Sequence, residues 1–162
     1  MCNLEGSVNV STLDKHFYST RDGRRLLSLV DMVKPDMYFE LHSYSPSSYE
    51  RMTSPQRMEI EGAPPLVELE RGILKGSVSP VLRSILYDTY PNPPELFFML
   101  ELPIGVKESE EIAVEILVAG LTSNTRLEFV EYLERNYPEQ TLVGKELFER
   151  FAKKIGLGGE YP

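Results

Sequence analysis

The stretch Met37-Tyr38-Phe39-Glu40-Leu41-His42 alternates strictly. In an extended chain Met37, Phe39 and Leu41 take one face, and Tyr38, Glu40 and His42 the other, so the pattern predicts a β-strand that delivers His42 at its carboxyl end. Just upstream, Leu26, Leu27, Val30 and Val33 fall at helical spacing, with Asp22 placed to cap the start and Pro35 to enforce the stop. Before that helix, residues 8–10 read as a short strand and 11–17 as a polar loop. Downstream, residues 43–65 are rich in Ser, Pro, Met and charge and follow no period; a connection of that length points to a functional or mobile segment. Ser79 followed by Pro80 is a helix-start signature, and Val81, Ile85 and Leu86 give a short apolar stripe ending near Asp88.

The second decisive stretch is Leu96-Phe97-Phe98-Met99-Leu100, an unbroken apolar run that closes on Glu101. Such a run is a strand covered on both faces. Three helices are predicted after it, over 109–121, 125–136 and 142–155, the last burying Leu147, Phe148 and Phe151. Helix, strand, helix, strand and then helices is the order of an open α/β sheet, mostly parallel or mixed, with helices on its faces. Residues 1–162 are expected to form a single domain of this hydrolase-like kind, with 104–162 as its helical part. Ligands of such sheets bind beyond the carboxyl ends of the strands, where His42 and Glu101 both fall.

Composition narrows the partners. The chain has 162 residues, enough for one core, and carries 17 basic against 25 acidic residues for a net charge of −8. That balance argues against nucleic acid as the main partner, since phosphate binding needs clustered Lys and Arg. The single Cys2 allows no internal disulfide and points to a reducing compartment, with the cytoplasm as the expectation. No apolar run approaches the length of a membrane span, and the start lacks a signal-peptide pattern. Assembly into a homo-oligomer stays open.

The chemistry-bearing residues are few. A zinc hydrolase needs imidazole or carboxylate ligands, an open position for water, and a nearby carboxylate to take the water's proton. His42 and Glu101 have those types, although by type alone a lone histidine at a strand end is more often a structural residue than a ligand. A carboxylate that ends five apolar residues is desolvated, paired or placed at a rim, and each condition perturbs its pKa. Ser79 lacks a nucleophile elbow and reads as an N-cap. Arg83 reads as a solvated helix-surface arginine, and Tyr44, Tyr87 and Tyr90 as packing residues.

Glu40-Leu41-His42-Ser43-Tyr44-Ser45 resembles the segment around the third zinc ligand of the zinc carboxypeptidases and the succinylglutamate desuccinylase and aspartoacylase group. The resemblance implies zinc as cofactor and His42 as its ligand, with Ser43 and Tyr44 beside the substrate. Thr12-Leu13-Asp14-Lys15-His16-Phe17 resembles the Asp-Leu-Asn-Arg-x-Phe segment that holds the substrate carboxylate in those enzymes. It puts Asp14 and Lys15 in the substrate-binding role, with a point charge in place of an arginine fork. Phe98-Met99-Leu100-Glu101-Leu102-Pro103 resembles their general-base strand, making Glu101 the catalytic base for hydrolysis of an amide near a carboxylate in a small molecule or peptide. The family's His-x-x-Glu motif is absent, which implies a chain that starts late relative to those enzymes, ligands supplied by a partner, or a scaffold kept without its metal. The alternative is a non-catalytic module binding a small anion or a protein. The segments also resemble an archaeal protein family that shares Ser-Thr-Leu-Asp and Glu-Leu-His.

Overall fold

A computed structural model describes residues 10–91 and 93–155. Both predicted strands form: β1 is Met37–Tyr44 and β4 is Leu96–Pro103. They lie side by side and parallel over their full length, from Met37 opposite Leu96 to Tyr44 opposite Pro103. Two short strands, absent from the sequence reading, complete the sheet. β2 (Val67–Glu68) and β3 (Leu74–Gly76) form an antiparallel pair, and β3 runs antiparallel to β4. The strand order is β1-β4-β3-β2, so the sheet is open and mixed, with β4 inside it.

The alternation of β1 and the continuous run of β4 now have a cause. Phe39, Phe98 and Leu100 face one layer, where they pack with Ala113, Ile116, Phe129 and Leu133. These come from α5 (Lys107–Thr122) and α6 (Arg126–Asn136). Gly120 of α5 is needed at this crossing, since a Cβ there would come within 2.6 Å of the Phe39 ring. Tyr38 and Phe97 face the opposite layer, against Val30 of α1 (Arg21–Val33) and Leu82 and Leu86 of α4 (Pro80–Thr89). Helices thus cover both faces of the β1–β4 pair, and burying both sides of β4 requires it to be apolar throughout.

Local signals differ in places from the sequence reading. Thr20, not Asp22, caps α1, its hydroxyl accepting from the Gly23 N–H at 3.1 Å. Asp22 lies within the first turn, where its charge complements the helix dipole. Ser79 does cap α4, accepting from the Val81 N–H at 3.2 Å. The expected strand at 8–10 falls almost wholly outside the described residues. The loop expected at 11–17 instead contains a 3-10 turn, Lys15–Ser19. Segment 43–65 holds another 3-10 turn, Pro46–Ser48, and two short helices, α2 (Tyr49–Thr53) and α3 (Arg57–Ile60). α7 spans Pro138–Ile155 and starts four residues earlier than read. Among the described residues no helix is long and apolar enough to cross a membrane.

Candidate functional site

His42 and Glu101 are register partners at the carboxyl ends of β1 and β4. Cross-strand partners project to the same face, so the two side chains share one side of the sheet. Glu40 precedes His42 by two residues and faces the same way. Its carboxylate is shared: one oxygen accepts from the Tyr38 hydroxyl at 3.1 Å, and the other accepts from His42 Nε2 at 3.1 Å. The Glu40 side chain is only 10% exposed and that of His42 29% exposed. The imidazole is thereby held through Nε2, leaving Nδ1 to meet a ligand.

The electrostatics follow from this placement. The hydrogen bond to Glu40 pushes the His42 imidazole above its ordinary 6.5, burial opposes the rise, and Glu101 adds to it. Burial pushes the Glu101 carboxyl above the usual carboxylate range, with Glu40 adding to the rise and His42 opposing it. Tyr38 is driven well above its ordinary value by burial and by Glu40, so its hydroxyl stays a donor.

A cleft of about 190 Å³ opens over these groups. Its far wall comes from the segment that reads as an aperiodic loop. Arg57 Nε donates to Glu61 at 2.9 Å and Arg57 Nη1 to the Pro64 carbonyl at 2.8 Å, while Arg51 also pairs with Glu61. Burial pushes the Glu61 carboxyl up, but the two guanidiniums outweigh it and hold the group below the usual range. Arg57 is buried, whereas the Arg51 side chain is 60% exposed at the rim. The third wall is the 11–13 segment with Ser79, whose hydroxyl donates to the Thr12 carbonyl at 2.7 Å.

Not every residue singled out from the sequence joins this cleft. Asp14 caps the 3-10 turn by accepting from the His16 N–H at 2.8 Å. Asp14 and Lys15 are both exposed, and neither lines the cleft. Ser43 projects to the opposite face, beside a shallow depression with Leu41, Leu102 and Ile104. Tyr44 is buried, and its hydroxyl donates to the Gly72 carbonyl at 2.6 Å, a bond that fastens β1 to the β2–β3 turn. Arg83 corrects its own reading: it is 7% exposed, donates to Ser77 Oγ at 2.9 Å, and lies 4.7 Å from the rings of both Phe97 and Phe148. The missed contributors are Arg51, Arg57 and Glu61. The i,i+4 spacing of Arg57 and Glu61 is the signal that points to a helical ion pair there.

Fold and site together define an α/β domain with a tyrosine–carboxylate–histidine relay and a second, buried carboxyl at the ends of two parallel strands. The chain belongs to the archaeal family described as "Uncharacterized protein conserved in archaea (DUF2119)", which it matches over residues 1–153. It is 32% identical over 155 residues to "Uncharacterized protein MJ0501" of Methanocaldococcus jannaschii, a match that covers 95% of this chain and 71% of the relative. No solved structure matches it.

These findings overturn the assignment to the zinc carboxypeptidases and the succinylglutamate desuccinylase and aspartoacylase group. The family matched is the archaeal one, and among the described residues no group of three His, Cys, Asp or Glu side chains could hold a metal ion. The resemblance rested on short segments whose residues have local work here: alternation on a half-buried strand for Glu40 to His42, and a turn cap for Asp14.

Proposed function

We propose that the cleft is a general acid–base site for hydrolysis of an amide or related acyl bond in a small substrate bearing a carboxylate. The observation that carries this reading is the pairing of His42 and Glu101 across β1 and β4, with Glu40 holding the imidazole. Two titratable groups whose surroundings move them toward neutrality, set side by side in a cleft, are what proton transfer near pH 7 requires. Glu101, raised by burial, takes the proton of a water that attacks the substrate carbonyl. His42, whose proton Glu40 helps to hold, returns a proton to the departing nitrogen as its bond to the carbonyl carbon breaks. Arg51 at the rim offers its outward N–H groups to the substrate carboxylate.

Zinc would need donors beyond His42 and Glu101, and the described residues do not supply a third. No step here is therefore routed through a metal. The exposed Arg51 in the same cleft as His42 favours a second reading, a non-catalytic module that binds a small carboxylate between them.

One experiment separates the two. Turnover is measured against a panel of N-acyl amino acids and short peptides, with the wild type and Glu101→Gln compared. The acid–base reading expects hydrolysis of some member and a loss of about 10²- to 10⁴-fold in kcat in the variant, with an unchanged melting curve well below pH 4.5, where the Glu101 carboxyl is protonated in both folded and unfolded chains. Binding of panel members without turnover, equal in both proteins, would replace it with the non-catalytic reading.

A further inference from the structure

A second cavity, of about 50 Å³, adjoins the cleft through the shared lining residues Pro64 and Ser77 and lies where α7 passes the edge of β4. β3 pairs with β4 only from Met99 to Glu101, so the Leu96–Phe98 edge has no strand partner on that side among the described residues. The cavity lies along this edge and is walled by aromatic and aliphatic groups. Four polar side chains interrupt the wall: Lys75 of β3, Ser77 just beyond it, which accepts from Arg83, Arg83 of α4, and Thr141 of α7. Lys75 is 5% exposed and Thr141 4% exposed, and among the described residues neither Lys75 Nζ nor Thr141 Oγ1 has a hydrogen-bond partner. Among the described residues no carboxylate lines the cavity.

A buried amine and a buried hydroxyl without partners are each costly, and finding both on one small cavity is a chemical statement about its occupant. The occupant must accept hydrogen bonds from both, and a negative one matches the charge of the Lys75 amine. We propose that this cavity is a binding site for a small oxyanion, the head of a carboxylate or an inorganic phosphate, held by Lys75 Nζ and Thr141 Oγ1. Size favours the carboxylate: at about 15 Å³ for each water-sized probe position, the space admits roughly three or four heavy atoms, which fits a carboxylate head, while the five heavy atoms of phosphate would need the walls to give. Burial alone depresses the Lys75 amine to about 8, which leaves it mostly charged at neutral pH and in want of a counterion. Arg83, already fixed between two aromatic rings, contributes its field rather than a moving contact. The site is independent of the acid–base reading of the cleft.

The test titrates the full chain separately with sodium acetate and sodium phosphate at constant ionic strength, following binding by calorimetry and by the amide shifts of Lys75 and Thr141. One of the two anions is expected to bind saturably with shifts centred on these residues, which identifies the oxyanion. Lys75→Met should weaken it by at least about 30-fold, and Thr141→Val by about three- to tenfold, while Glu101→Gln leaves it unchanged. No saturable binding of either anion, or equal affinity in Lys75→Met and the wild type, overturns the proposal.

Discussion

Replacing Lys75 by Met should stabilise the protein, which is unusual for a substitution at a buried position. The aliphatic stem is already packed, and Met keeps its length while removing the charge from a wall that offers the amine no partner. The magnitude follows from the depression of the amine from its ordinary 10.5 to about 8. At about 1.36 kcal/mol for each pH unit, that difference corresponds to a cost of about 3 kcal/mol for holding the amine in the fold at neutral pH. The sign with pH is set by the same shift: between about 8 and 10.5 the unfolded chain binds the proton and the folded one does not, so the wild type gains stability as pH rises through that window. The advantage of Lys75→Met should therefore be near 3 kcal/mol at pH 7 and shrink to about 1 kcal/mol near pH 9.5. Urea denaturation of both proteins at several pH values, in buffers free of carboxylate and phosphate, measures it. A variant less stable than the wild type at pH 7, or a gap that does not narrow above pH 8, would refute the reasoning.

Glu101→Gln carries the opposite test at acid pH. Because burial raises the folded carboxyl, the wild type holds its proton longer than the unfolded chain does, and it loses stability as pH climbs from 4.5 through the folded value. The variant should gain on the wild type across that range by denaturant titration; a gap independent of pH would show that Glu101 is not desolvated. Phe129→Ala, at a fully buried ring that touches Phe39 and Phe98 edge-on, should cost about 3–5 kcal/mol by the same assay. A loss under 1 kcal/mol would mean the layer beneath α6 is not the principal core.

The parts of the fold that could be read from sequence are those in which one local pattern had one structural cause. Alternation over 37–42 and the apolar run over 96–100 marked β1 and β4, because a half-buried and a fully buried strand impose those patterns directly. β2 and β3 were invisible because two and three residues carry no period, and their pairing depends on the turn at Gly72, a long-range contact of Tyr44, and β4 itself. Arg83 misled because a lone arginine on a helix is usually solvated; here two phenylalanines distant in sequence close over it. The cleft divides in the same way. His42 and Glu101 were legible as strand-end residues, whereas Arg51, Arg57 and Glu61 lay in an aperiodic segment ordered mainly by their mutual ion pairs and by the Leu66 N–H bond to the Met52 carbonyl.

The central claim is that Glu40 holds a protonatable His42 beside Glu101. The chain has only two histidines, so His16→Gln leaves a single imidazole to follow by ¹H–¹³C NMR across pH. The His42 midpoint is expected above 6.5, and in Glu40→Gln it should fall back toward that value, because the hydrogen bond to Glu40 is the largest cause of the rise. A midpoint at or below 6.5, or one that Glu40→Gln leaves in place, would contradict the account.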